Sequence, residues 1–343
     1  MSGLQLASTR NAMSATEALP LHSGRRAWLA VLAHAPRADL EAALAHAFEG
    51  AALPAFEWLR APEIGLAMVR GRIGGTGDPF NLGEATVTRA TLRLTGVTKQ
   101  FGGRNGCAGV TFDLYPGEVL CIVGESDSGK TTLSNTLALR TEADSGALGY
   151  TNANGETIDL FSLGEPRRRL LMRTEWGFVQ QNSRDGLRLG VSAGANIGEP
   201  LMAVGARHYG QIRGTAAKWM ARVELDPARI DELPAAFSGG MQQRLQIARN
   251  LVTGPRLVFM DEPTASLDVS VQARLLDLLR TLAATLHLSV LIVTHDIGVA
   301  RLLAHRLMVM QGGKVVEAGL TDQVLDDPQH PYTQTLVSSV LPV

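Results

Sequence analysis

The stretch that most restricts what this chain can fold into is Gly124-Glu125-Ser126-Asp127-Ser128-Gly129-Lys130-Thr131. It fits the pattern G-x-x-x-x-G-K-[ST]. Ahead of it, Val119-Leu120-Cys121-Ile122-Val123 predicts a buried strand, and behind it Thr132-Leu133-Ser134-Asn135-Thr136-Leu137-Ala138-Leu139 predicts a helix. A strand, a glycine loop and a helix in that order can wrap an anion. Glycines let the backbone approach closely, successive N–H groups turn inward, and the helix N-terminus adds positive potential. Lys130 is placed to reach the outer phosphates of a polyphosphate, and the Thr131 hydroxyl to ligate Mg²⁺. Thr132 falls in the same cradle. A glycine turn before a helix would spell the same eight letters, so the rest of the chain has to decide between them.

The chain has 343 residues, 45% hydrophobic and 19% charged, which is material for two domains and a large core. A formal net charge of −1 argues against nucleic acid as a partner held by bulk electrostatics. Arg167-Arg168-Arg169, with Arg173 nearby, reads as a solvated helix face. The two cysteines, Cys107 and Cys121, form no C-x-x-C, and the eight histidines have no H-E-x-x-H spacing. Neither a disulfide framework nor a zinc site is expected. No apolar run approaches the length of a membrane span, and no basic-then-apolar leader opens the chain. The expectation is a cytoplasmic protein without a direct membrane span; any work at a membrane would need other subunits.

Residues 1–24, rich in Ser, Ala and Thr, predict a mobile tail. Trp28, Leu29, Val31 and Leu32, then Leu40 and Leu44, recur at helical spacings, and Pro36 opens a second helix with Asp39 and Glu41 in its first turn. Gly65-Leu66-Ala67-Met68-Val69 reads as a strand, and a last strand covers residues 85–94. Between them the glycines of residues 70–84 read as tight turns; Arg70 and Arg72 could serve a phosphate, but no helix clearly follows. The words Trp28-Leu29-Ala30-Val31-Leu32-Ala33, Leu59-Arg60-Ala61-Pro62-Glu63, Met68-Val69-Arg70-Gly71-Arg72 and Pro79-Phe80-Asn81-Leu82-Gly83-Glu84 carry a resemblance. The segment 25–91 is similar to the small G subunit of the bacterial carbon–phosphorus lyase machinery, truncated before that family's closing strand and helix.

Beyond residue 92, apolar strands alternate with helices. Leu92-Arg93-Leu94 with Val97, and Val110-Thr111-Phe112-Asp113-Leu114, read as strands that Pro116-Gly117 turns into the loop strand. Trp176-Gly177-Phe178-Val179-Gln180-Gln181 is a core strand ending in amides, and helices follow over residues 191–225. Ser238-Gly239-Gly240-Met241-Gln242-Gln243-Arg244 opens a helix, and Leu257-Val258-Phe259-Met260 ends in Asp261-Glu262. Ser266-Leu267-Asp268 precedes a long amphipathic helix, and His295 follows the strand Ser289-Val290-Leu291-Ile292-Val293. In this order the motifs resemble the ATP-binding cassette superfamily. The fold expected is therefore α/β: a P-loop NTPase cassette with a helical subdomain at residues 92–343, preceded by a small, incomplete α+β segment.

The resemblance implies roles. Phe101 would stack on adenine. Gly124, Glu125, Ser126, Asp127, Ser128, Gly129, Lys130, Thr131 and Thr132 would hold the phosphates of ATP. Thr131, Gln181 and Asp261 would ligate Mg²⁺. Glu262 would polarise the attacking water, with Gln181 and His295 beside the γ-phosphate. Ser238, Gly239, Gly240, Gln242 and Asp268 would act across an ATP-dependent homodimer. Asp127 departs from the family, which carries Gly there.

Three further words, Arg173-Thr174-Glu175-Trp176-Gly177-Phe178-Val179, Arg184-Asp185-Gly186-Leu187-Arg188 and Val191-Ser192-Ala193-Gly194-Ala195-Asn196-Ile197-Gly198-Glu199, resemble the K subunit of the carbon–phosphorus lyase system. That implies ATP hydrolysis in phosphonate breakdown, with lyase core subunits as partners. Cleavage of the carbon–phosphorus bond itself is not expected of a chain without a cysteine cluster for an iron–sulfur centre. The closing word Asp327-Pro328-Gln329-His330-Pro331-Tyr332-Thr333 resembles the tail of the peptide and nickel importer branch, so an importer ATPase is the second reading, and an inert scaffolding fusion the third.

Overall fold

The strand Val119–Val123 sits inside a parallel sheet because both of its faces are apolar. In the computed structural model the described residues are 27–32, 56–57, 66–71, 90–102, 104–265 and 267–339. They fall in two units, residues 1–89 and 90–343. In the first, β1 (Ala27–Leu32), β2 (Phe56–Glu57) and β3 (Leu66–Gly71) form an antiparallel sheet in the order β1-β3-β2. The helical spacing read from Trp28 to Leu32 is corrected here: these residues are a strand, with Ala27 opposite Gly71 and Leu32 opposite Leu66. A six-residue apolar run fits either template, and pairing with β3 decides it. The readings of residues 1–24 as a tail and of a helix from Pro36 lie outside the described residues.

The second unit opens with β4 (Leu92–Phe101) and β5 (Arg104–Leu114), followed by β6 (Val119–Val123) and helix α1 (Lys130–Leu137). Next come β7 (Ser145–Thr151), β8 (Thr157–Asp159), α2 (Glu165–Thr174) and β9 (Trp176–Val179). Two helices, α3 (Ala193–Ala203) and α4 (Tyr209–Arg222), lead to α5 (Gly239–Leu251) and β10 (Leu257–Asp261). The chain closes with α6 (Val269–Leu286), β11 (Ser289–Val293), α7 (Ile297–Leu303), β12 (Arg306–Gln311), β13 (Lys314–Leu320), α8 (Thr321–Asp326) and α9 (Pro331–Ser338).

The main sheet runs β13-β12-β6-β11-β10-β9, parallel except for the edge strand β13. Val119, Cys121 and Val123 pack into one apolar cluster and Leu120 and Ile122 into the other, so β6 is buried on both faces. Strands β10 and β11 divide in the same way. That is why their sequences are continuous apolar runs rather than alternating ones. The smaller antiparallel sheet, β5-β4-β7-β8, covers the second cluster. The strand read as 85–94 begins at Leu92 and continues to Phe101; its earlier residues lie mostly outside the description. Ala90 and Thr91 already belong to this unit: Thr151 Oγ1 donates to Ala90 O at 2.7 Å, and Thr91 Oγ1 lies 3.0 Å from Ser289 Oγ.

Parallel pairing brings the carboxyl ends of β6, β10 and β11 to one edge of the sheet. Thr294 N donates to Ile122 O at 3.1 Å and Glu262 N to Val293 O at 2.8 Å. The residues that follow these three strands are thereby neighbours, although the sequence separates them widely.

Candidate functional site

The loop after β6 can only be built with glycine at its two ends. A Cβ on Gly124, whose φ is +154°, would fall 2.3 Å from Met310 O; one on Gly129, at φ +100°, would fall 2.1 Å from Gly106 O. Both obstacles are backbone atoms, which cannot step aside. Gly129 also caps α1 with no side-chain hydrogen bond, so the first N–H groups of the helix remain open to an anion. Lys130 is 6% exposed and folds its ammonium back onto the loop, donating to Gly124 O and Glu125 O at 2.7 Å and to Ser128 Oγ at 3.2 Å. Burial pushes its pKa below the ordinary lysine value, against the pull of Glu262, Asp261, Asp127 and Glu125. Arriving phosphates would replace those carbonyls with full negative charge. Glu125, Ser126, Asp127 and Thr131 are exposed at the mouth of the loop.

Asp127 adopts φ 64°, the left-handed region that Asp enters more readily than most residues. The departure from glycine therefore leaves the loop intact, and what remains is a negative charge beside the expected anion site. A carboxylate about 5 Å from a phosphate costs roughly 3 kcal/mol at an effective dielectric near 20, and less than about 1 when it faces water. Since Asp127 is exposed, the lower end applies. Asp127→Gly should tighten ATP binding by up to about fivefold in titration calorimetry. Unchanged or weaker binding would show the aspartate to be accommodated.

Asp261 and Glu262 are half-buried at the end of β10. Burial, then the charge of Glu262, raises the Asp261 pKa above the usual carboxylate value, while Arg140 and Lys130 pull it down. Glu262 sits at φ 44°, a strained backbone position for a residue with a side chain. Its carboxylate is fixed from three directions: Thr294 Oγ1 donates to Oε2 at 2.9 Å, His295 N donates to Oε1 at 2.9 Å, and His295 Nδ1 lies 2.6 Å from Oε1. The His295 ring is otherwise exposed.

Phe101, 53% exposed, ends β4 beside the loop: a Cβ on Gly106 would touch both the Phe101 ring and Thr132 Cγ2. Lys99 Nζ lies 5.5 Å from the ring centroid and is held by Asp144 at 2.8 Å. Gln181 is exposed just past β9. The structure thus brings together Gly124 to Thr132, Asp261, Glu262, His295 and the Phe101 ring.

The other motif residues make different contacts. Ser238 and Gly239 are exposed at the start of α5, where Ser238 Oγ accepts from Met241 N at 3.4 Å. Gly240 packs against α6, where a Cβ would fall 2.4 Å from Val271 Cγ1. Asp268 is exposed at the start of α6; Ser266 lies outside the described residues. Gln242 points inward instead. It is 5% exposed and its amide donates to Pro234 O and Phe237 O, at 2.9 and 3.0 Å. Its side chain is taken up inside its own chain.

Sequence reasoning passed over three residues that shape this region. Thr294 holds Glu262, and its only signal was its place before His295. Gln246 accepts from Gln180 N at 3.1 Å, and Gln243 donates to Gln180 O at 3.4 Å, so α5 grips the segment leading to Gln181. Their signal was a run of amides on a helix that must pack: Gln243 and Gln246 are 2% and 0% exposed, and buried amides need partners.

Residues 107–265 match the family model described as ABC transporter, and residues 23–111 match that described as phosphonate metabolism protein PhnG. The second range runs further than the resemblance read from the words, through β4 and into β5; in the second unit β4 pairs with β5 on one side and with β7 on the other. The chain is 63% identical over 250 residues to PhnK of Escherichia coli (strain K12), provisionally named a phosphonates utilization ATP-binding protein. The match covers 73% of this chain and 97% of PhnK. It is 35% identical over 266 residues to the dipeptide transport ATP-binding protein DppF of the same strain, covering 75% of this chain and 78% of DppF. Among solved structures, the dimeric post-hydrolysis state of the ATP-binding cassette MJ0796 bound to ADP and Pi matches with a TM-score of 0.59 and 29% identity, over 67% of this chain and 98% of that one. With a phosphate loop, a strand-end acid pair and a histidine at one sheet edge, and with these relatives, the chain belongs to the ATP-binding cassette family.

Proposed function

We propose that this chain hydrolyses ATP to drive a step of phosphonate utilisation on a soluble carbon–phosphorus lyase complex. The observation that carries this reading is the 63% identity to PhnK across nearly all of that protein. The phosphonate-metabolism match of the front segment supports it from a separate part of the chain.

The residues take these roles. The loop from Gly124 to Thr132 receives the phosphates, and Lys130 exchanges its loop carbonyls for them. Phe101 stacks on the adenine ring. Thr131, Asp261 and Gln181 offer hydroxyl, carboxylate and amide oxygens, the hard donors that suit Mg²⁺ together with phosphate oxygens. A Mg²⁺ ion held by these oxygens would supply positive charge to offset that of the triphosphate. Glu262, held by Thr294 and His295, takes the proton of the attacking water. Ser238, Gly239, Gly240 and Asp268 serve across a homodimer, where the N-terminus of α5 faces the partner's nucleotide. Gln242 is left out of this set, because its amide is already satisfied.

Purification of the full chain with its natural partners tests the reading. Soluble lyase subunits in the complex support it. Membrane permeases in their place would establish the importer reading, which the likeness to DppF keeps as the second one.

We further propose that the cassette, residues 92–343 with Ala90 and Thr91 leading in, folds independently of the front segment, which carries no chemistry. The two share no linker of Gly, Ser or Pro, and β4 has its hydrogen-bond partners in the cassette sheet. Limited proteolysis of the full chain should leave a fragment starting near residue 90 that still binds ATP. Equal protease resistance on both sides of that point would mean one cooperative unit.

A further inference from the structure

The closing word Gln329-His330-Pro331-Tyr332 takes no part in the site as described so far, yet it reaches the phosphate loop. Two backbone contacts bring the end of the chain there. Gly313 N, in the turn between β12 and β13, donates to Ser128 O at 2.9 Å, and Gly313 O accepts from Ala108 N at 2.7 Å. From β13, the Glu317 carboxylate accepts from Gln329 N at 2.8 Å and His330 N at 3.0 Å, which fixes where α9 begins. His330 Nδ1 then caps the helix by accepting from Tyr332 N at 3.2 Å. The Tyr332 ring is 8% exposed, and its hydroxyl accepts from Glu125 N at 2.9 Å.

Glu125 is therefore held at both ends of its backbone. Tyr332 holds its N–H; Lys130 Nζ, at 2.7 Å, and Ser128 N, at 3.2 Å, hold its carbonyl. These holds respond differently to nucleotide. Phosphates draw the ammonium of Lys130 away from the loop, whereas the Tyr332 contact lies on the amide that faces α9 and needs no anion. Without Tyr332, the first half of the loop would lose a fixed partner at the moment Lys130 leaves.

Resting on the ATPase reading above, we propose that Tyr332 is a positioning residue for the phosphate loop: its hydroxyl keeps the segment at Glu125 in the anion-receiving shape and so sets ATP affinity. It touches neither the γ-phosphate nor Glu262, so its effect falls on binding and not on turnover.

The test is Tyr332→Phe in the full chain, which removes one oxygen and keeps the buried ring. The KM for ATP, and the Kd by titration calorimetry, should rise about fivefold, as for the loss of one neutral hydrogen bond. The kcat at saturating ATP should stay within about twofold, as expected when an interaction made equally in the ground and transition states is lost. A merely structural tyrosine gives another pattern, a lower unfolding midpoint and fewer active sites with KM unchanged, and that result overturns the proposal. Glu317→Gln, which loosens the start of α9 without touching the loop, should raise KM in the same direction. If Tyr332→Phe does not fold, Glu317→Gln decides alone: a raised KM supports the proposal and an unchanged one overturns it. A wild-type chain that neither binds nor hydrolyses ATP sinks the ATPase reading together with this one; an active wild type indistinguishable from both variants sinks only this one.

Discussion

Glu262→Gln should lower the kcat for ATP by about a hundredfold to ten-thousandfold while leaving ATP binding in place. Both oxygens of the glutamate are oriented by neighbours, through Thr294 on one and His295 on the other. Glutamine fits that cradle. Its oxygen can keep the bond from His295 N, and its amide can donate to the Thr294 hydroxyl, which has a lone pair to accept it. The substitution therefore removes the base and little else. Since hydrolysis dissolves the sandwich that the proposed homodimer makes around ATP, the variant should sediment as a dimer with ATP and Mg²⁺. Hydrolysis within tenfold of wild type, or a variant that stays monomeric at saturating nucleotide, would remove Glu262 from its proposed role.

Acid should destabilise the second unit through His305. This imidazole is half-buried just before β12, with Nδ1 accepting from Val119 N at 2.9 Å, next to Glu118 and its partner Arg306. Burial pulls its pKa from the ordinary 6.5 down to about 4. Between those two values the unfolded chain binds a proton that the folded one refuses. Stability from this group is complete above about pH 6.5 and falls as pH drops toward 4. At about 1.4 kcal/mol per pKa unit, the loss approaches about 3 kcal/mol. The buried Glu118 carboxyl and the half-buried Asp261 carboxyl, raised above their usual values, act in the opposite sense as they take up protons. A second protein separates the contributions. His305→Asn keeps an acceptor for Val119 N but cannot titrate. Denaturant midpoints from pH 7 to pH 4 should fall more steeply for wild type than for His305→Asn. Parallel curves would show that His305 does not set the acid limit.

The parts of this protein that the sequence determined are those whose physics is local. An apolar run, a glycine loop and a helix predicted β6, the phosphate cradle and α1, because strand burial, positive φ and helix-end potential depend on neighbours a few residues away. The acid pair at the end of β10 and the histidine after β11 were legible only through the order of the motifs, which resembles the cassette superfamily. Where a short segment satisfied two local rules, the sequence misled: Trp28 to Leu32 fits a helical spacing, and only pairing with β3 makes it a strand.

Tertiary structure decided everything that needed a partner from elsewhere in the chain. Thr294 orients Glu262 because parallel pairing of β10 with β11 places their ends side by side. Gln242, which stands among motif letters, turns inward because the carbonyls of Pro234 and Phe237 come within reach of its amide. The pKa of His305 is lowered by the neighbours that take its ring out of water, and Tyr332 meets Glu125 across 207 residues because β13 delivers α9 to the loop. A hydrogen-bond partner or a buried charge is a property of three-dimensional neighbours, and a residue's own letter and its flanks carry no record of them.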